Sequence, residues 1–218
     1  MPKSATVIAL DAIQSPLFRL PLSAPAQGDS KGSLQAAEQA NLGYIVLRGK
    51  ADDAAFMDAV SEVLGGALST QPKSVQQLPA GLVLWQSPDE WWLICARARR
   101  DELVARLEAA LQGLFAQVVD NSGGFTAVRL QGASHMLLLR HLGPYDFERI
   151  QIGQCVSTVV SKAAFTVVRS DAEGVTLVFR RSFADYVWQL IERSAKPYDL
   201  QVRSHTQCSE RLLKPLLG

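Results

Sequence analysis

Cysteine is scarce, and its spacing excludes more than its number: Cys95, Cys155 and Cys208 are the only three in 218 residues. They form neither the even framework of a disulfide scaffold nor the close pairs of a zinc site, so three reduced thiols are expected. An excess of one charge is missing too. Lys and Arg number 22 against 21 Asp and Glu, which removes the basic footprint of a nucleic-acid binder. It equally removes any pull towards an anionic membrane. No apolar run reaches the roughly 18 residues of a spanning helix. Near the start, the stretch Ala5–Leu10 is broken by Asp11 before a secretory core could form. These absences lead to the expectation of a soluble, cytoplasmic chain without nucleic-acid or membrane partners. Core material is plentiful by contrast, with 48% of the residues hydrophobic, which allows one large domain or two small ones.

Catalytic constellations are equally sparse. Gly132-Ala133-Ser134-His135-Met136 opens like a nucleophile elbow but has no closing glycine. Ser134 reads better as the N-cap of a helix. His135 and His141 do not share a helical face with a third ligand, and His205 carries no pattern. Gly65-Gly66 and Gly123-Gly124 lack the spacing that lets a backbone approach a pyrophosphate. Cys155 has no Cys-x-x-Cys partner, so a buried thiol beside a strand is expected. No catalytic, cofactor-binding or metal residue is therefore expected on this chain.

The order of elements is more informative. Residues 21–40 are rich in Pro, Ala, Ser, Gln and Gly and read as a connecting arm. Residues 203–218 read as a loosely held tail. Between them, Tyr44–Arg48 reads as a strand, followed by a helix capped at Asp52 or Asp53 and ended by Gly65-Gly66. Two strands, Gly81–Trp85 and Trp91–Cys95, flank a Pro88-Asp89 turn; a helix from Asp101 and a strand Gln117–Asp120 follow. The series then repeats: Thr126–Leu130, a helix to Leu142, a strand pair at Ala164–Val168 and Val175–Phe179, a helix through Phe183 and Ile191, and a strand to Val202. The halves, about 41–120 and 124–202, overlie at an offset of about 83–84 residues, with Gly49 on Gly132, Trp85 on Val168 and Leu93 on Leu177. The expected fold is α+β, one duplicated βαββαβ-like unit across residues 41–202.

The string Trp85-Gln86-Ser87-Pro88-Asp89-Glu90-Trp91-Trp92-Leu93-Ile94 resembles the Gly-Pro-Asp-Glu-Trp-Leu-Leu type signature of the gamma subunit of heterotetrameric sarcosine oxidase. Ser15-Pro16-Leu17, Val119–Ser122, Leu130–Ala133, Gly153-Gln154-Cys155 and Arg181-Ser182-Phe183-Ala184-Asp185-Tyr186 agree in order. Gln86 and the tail after about residue 200 depart from the pattern. The resemblance implies a fold like the folate-binding domain of the glycine-cleavage aminomethyltransferase. It implies partners too: alpha, beta and delta chains, with direct contact to alpha. FAD, FMN, NAD and tetrahydrofolate would sit on the alpha and beta partners, in an enzyme that converts sarcosine, O2 and tetrahydrofolate to glycine, hydrogen peroxide and methylenetetrahydrofolate. This chain would then be structural and inactive alone. A stand-alone folate-binding protein of the same superfamily is the alternative, and another N-methyl amine could replace sarcosine. Exposed aromatics and arginines anchor interfaces, so Trp91, Trp92, Arg180, Arg181, Leu17 and Phe18 are the expected partner-contacting residues.

Overall fold

The computed structural model describes residues 15–17, 34–208 and 210–217. An opening strand, β1 (Leu34–Glu38), precedes two successive units. The first runs β2 (Leu42–Arg48), α1 (Ala54–Leu64), β3 (Val75–Leu78), β4 (Gly81–Ser87), β5 (Glu90–Ala96), α2 (Arg100–Ala110) and β6 (Gln117–Asp120). The second runs β7 (Phe125–Gln131), α3 (His135–Leu142), β8 (Gln154–Val160), β9 (Ala163–Arg169), β10 (Gly174–Arg180), α4 (Ala184–Ala195) and β11 (Leu200–Val202). The fold is α+β and the duplication is real. Each unit, however, is βαβββαβ, one strand longer than the sequence pattern implied. The additional strands, β3 and β8, are edge strands. Half-exposed Val75-Gln76-Gln77-Leu78 in β3 offers no apolar run to read.

Each unit makes its own sheet. The first has order β3-β4-β5-β2-β6, and the second β8-β9-β10-β7-β1-β11. The orders match, except that β1 is inserted between β7 and β11, antiparallel to β7 and parallel to β11. Residues 34–38 are therefore not part of a connecting arm. Their small side chains resemble a linker in composition because Ala36 and Ala37 are packed flat inside a sheet.

The four layers run helices, sheet, sheet, helices. Phe56, Val60 and Leu64 of α1 and Leu103 and Leu107 of α2 cover one sheet through Ile45, Leu47, Trp91 and Leu93. Leu138, Leu139, Val187 and Ile191 cover the other through Val128, Leu130, Leu177 and Phe179. Between the sheets lie Leu42, Tyr44, Leu82, Leu84, Ile94, Ala127, Val168 and Val178. Because the central strands are covered on both faces, they read as continuous apolar runs without alternation. The helix ends follow local chemistry. Asp53 accepts from the backbone N–H groups of Ala55 and Phe56, and Gly65 closes α1 in the left-handed conformation at φ 79°. Ser134 holds the N-cap position of α3, but its side chain makes no capping bond.

Matching hydrogen bonds mark the internal symmetry. Gly49 N–H donates to Asp89 O at 3.1 Å and Gly132 N–H to Glu173 O at 3.0 Å. Arg97 N–H donates to Asn41 O at 3.1 Å and Arg181 N–H to Gly124 O at 2.9 Å. The ladders also correct the alignment by one residue: Leu84 pairs with Trp92 as Val168 pairs with Thr176, so Leu84, not Trp85, matches Val168. An irregularity between Trp85 and Ser87 absorbs the slip.

Gly81 opens β4 at φ 153°, where an added Cβ would stand 2.2 Å from Ile94 O. Neither backbone can retreat without breaking the β4–β5 ladder. Gly81→Ala is expected to cost about 2–4 kcal/mol in urea unfolding, the range of strained backbone positions with a steric clash.

Candidate functional site

On β5 the paired tryptophans face opposite ways, as the strand period requires. Trp91 points to the helical layer, where it is fully buried, donates from Nε1 to Ser69 O at 2.9 Å and packs against Phe56. It therefore cannot contact a partner. Trp92 points into the gap between the sheets, half-buried, with its ring centroid 4.7 Å from that of Phe125. Its Nε1 donates to Glu90 Oε1 at 2.7 Å. Arg180, exposed at the end of β10, lays its guanidinium 4.6 Å from the centre of the same Phe125 ring.

These side chains border an open cleft of about 340 Å³ between the sheets, floored by Gln86, Ser157 and Thr166. Ser157 Oγ donates to Gln86 Oε1 at 2.5 Å. The amide Nε2 of Gln86 is buried and has no partner among the described residues. The cleft thus combines aromatic faces with an exposed cation, Arg180, and a carboxylate, Glu90. Phe125 and Ser157 were not singled out from sequence, and Gln86 only as a departure from the family pattern. Phe125 lies beside Gly123-Gly124, which drew attention only as a possible glycine loop.

Other expected contact residues divide. Leu17 is buried at 4% exposure in the core of the second unit and is unavailable to a partner. Phe18 lies outside the described residues. Arg181 is half-buried beside Arg180, in a turn between β10 and α4. Trp92 and Arg180 therefore meet at one place, Arg181 flanks it, and Trp91 and Leu17 belong to cores.

The reactive residue types are held in structural roles. Burial pushes the Cys155 thiol up to about 12, and its sulfur donates to Trp85 O at 3.4 Å. Burial likewise raises Cys95 to about 11 and Cys208 to about 12. Such thiols stay protonated and are poor nucleophiles. His135 Nδ1 meets Gly132 O at 2.7 Å and burial depresses its basicity, while His141 Nε2 meets Tyr198 Oη at 2.8 Å. Among the described residues no group of three or more His, Cys, Asp or Glu gathers to hold a metal, and no helix is long and apolar enough to cross a membrane.

A second polar cluster was not foreseen. Arg129, in the middle of β7, is fully buried and donates from Nη2 to Asp171 Oδ1 at 2.6 Å; its Nε and Nη1 find no partner among the described residues. Over it lies the C-terminal segment, which is not loosely held. Cys208, Glu210, Leu213 and Leu217 are all buried. Gln39 Nε2 donates to Cys208 O at 3.0 Å, and the backbone N–H groups of Leu212 and Leu213 both donate to the Glu210 carboxylate at 3.0 Å. Leu213 and Leu217 complete the core between the sheets. The one sequence signal for this site was an arginine set between Val128 and Leu130 within a strand.

A duplicated α+β sandwich with this layer order defines a fold class shared with an aminomethyltransferase of the glycine cleavage system. The glycine cleavage system aminomethyltransferase T from Bartonella henselae overlays at a TM-score of 0.62 and 14% identity, covering 78% of this chain but 48% of that one. A chain of the heterotetrameric sarcosine oxidase from Corynebacterium sp. U-96, solved with pyrrole 2-carboxylate, overlays at 0.71 and 22% identity, covering 84% and 95%. The profile of the sarcosine oxidase, gamma subunit family matches residues 48–196, and the chain belongs to that family. The sarcosine oxidase subunit gamma of Corynebacterium sp. (strain P-1) is 29% identical over 166 residues, 75% of this chain and 80% of that relative.

Proposed function

We propose that this chain is the structural, non-catalytic gamma subunit of a heterotetrameric, flavin-dependent sarcosine oxidase. Its role is to supply an interface. FAD, FMN, NAD and tetrahydrofolate are held by the companion alpha and beta chains, with delta as the third companion and the direct contact made to alpha. The family membership across residues 48–196 carries this reading. The site chemistry supports it: buried thiols kept protonated, histidines bonded to backbone and tyrosine, and an open aromatic cleft suited to anchoring another protein. The cytoplasm is the proposed compartment.

Co-expression with the three companion chains, and purification through a tag on this one, tests the reading. The complex is expected to carry flavin absorption and to release hydrogen peroxide from sarcosine. The isolated chain is expected to be colourless and to release none. Full peroxide production by alpha, beta and delta without this chain would overturn the assignment. Tight binding of a reduced folate by the isolated chain, read by calorimetry, would favour a stand-alone folate-binding protein instead.

A further inference from the structure

The internal symmetry gives the open cleft a counterpart. Trp92 pairs with Val46 and Leu84; at the matching place in the second unit Thr176 pairs with Arg129 and Val168. By the same correspondence Leu42 stands where Phe125 stands. Described residues of this chain fill one of these two openings and leave the other open. Into the filled one runs the C-terminal segment, with Leu213 and Leu217 one helical turn apart in the core that includes Leu42 and Ile94. Glu210 lies just ahead of them, fully buried, its backbone N–H donating to Gln39 Oε1 at 3.4 Å. The family profile ends at residue 196, so this plug lies beyond the matched region.

The open cleft shares the architecture of the filled one, and none of the described residues enters it as residues 210–217 enter the other. Its walls are aromatic, the Arg180 guanidinium at the rim calls for an acceptor, and the Glu90 carboxylate of the same lining is taken up by Trp92 Nε1. We infer that the cleft around Trp92 receives a short segment of a companion subunit. That segment enters as residues 210–217 enter its counterpart, with two aliphatic side chains a helical turn apart and a carboxylate directed at Arg180. The inference rests on the subunit reading and adds the place and chemistry of the contact.

The test uses the tagged complex, with the photo-reactive residue p-benzoylphenylalanine replacing Thr158 at the cleft wall. Illumination is expected to join this chain to one companion subunit, and mass spectrometry to find the bond in an aliphatic, acid-bearing segment. A complex that assembles but gives no cross-link there, or links only two copies of this chain, overturns the inference and leaves the subunit reading intact. Failure of the unsubstituted chain to retrieve any companion overturns both. Arg180→Glu, a change at an exposed site, is expected to weaken association about 30-fold, the effect of losing a hot-spot residue. Trp92→Ala should weaken it at least as much. Unchanged association by both variants, each folded by circular dichroism, would also overturn it.

Discussion

Deleting the chain from Arg203 onward is expected to leave a protein that does not hold its native structure and precipitates on expression. Leu213 and Leu217 are 1% and 5% exposed between the sheets. Truncating one buried leucine costs about 2–5 kcal/mol. Losing both, together with the backbone bond from Arg203 N–H to Ala36 O, removes a large part of the roughly 5–15 kcal/mol that holds a domain folded. Deletion also uncovers Arg129 and the apolar floor beneath it. The milder variant Leu213→Ala should remain soluble and lose about 3 kcal/mol in urea unfolding. Deletion with unchanged solubility and melting would show the segment to be dispensable. Glu210 adds a pH signature. Burial raises its pKa from 4.5 to about 6, so the native state favours the protonated carboxyl. Its contribution is complete below pH 4.5 and fades as the pH rises through 6. Against Glu210→Gln, the wild-type chain should lose about 2 kcal/mol across that window.

Asp171→Asn is expected to be the most damaging single polar substitution, at about 3–5 kcal/mol, because it strands a buried cation. Arg129 has no exposure and two N–H positions without a partner among the described residues, and the Glu210 carboxyl that also feels its charge is itself held towards the protonated form by burial. The converse change is milder. Asp171 also accepts from the backbone N–H groups of Glu173 and Gly174 at 2.9 and 3.1 Å, so Arg129→Met leaves a carboxylate that is still bonded. The double variant should recover most of the loss, and a double-mutant cycle by urea denaturation measures it. Equal losses in the two single variants would refute the asymmetry. Acid acts in the opposite sense to Glu210. Burial pushes the Asp171 pKa up, but the Arg129 hydrogen bond and charge outweigh it and hold the carboxyl below 3.8. Its stabilisation is present above pH 3.8 and is lost as the pH falls through the lower, folded value.

The sequence was legible wherever an element announces itself through apolar period and end chemistry. Asp53 and Gly65 bound α1, and the Pro88-Asp89 turn marks the β4–β5 hairpin. It was not legible where small or polar residues do the packing. Leu-Gln-Ala-Ala-Glu at 34–38 has the composition of a linker, yet two flanking strands bury it. The tail failed for a related reason: its leucines show no strand pattern and serve as a plug. The Trp91-Trp92 pair shows a different limit. Period two says the rings face opposite ways, but in four layers neither face is the outside. Which tryptophan borders an opening depends on the second sheet, which local sequence does not encode. Arg129 passed as one residue of a strand, and its meaning came from Asp171, forty-two residues away.

The insertion of β1 also imposes an order of events. The first unit can close as it is synthesised, since all five of its strands lie between Leu42 and Asp120 in one continuous stretch. The second cannot. Its sheet needs a strand made before the first unit, so β1 leaves the ribosome early and stays unpaired until β7 arrives, and its other edge stays open until β11. Pairings of such long separation form slowly and expose strand edges meanwhile. The first unit should therefore act as the early-folding body on which the two ends of the chain later meet.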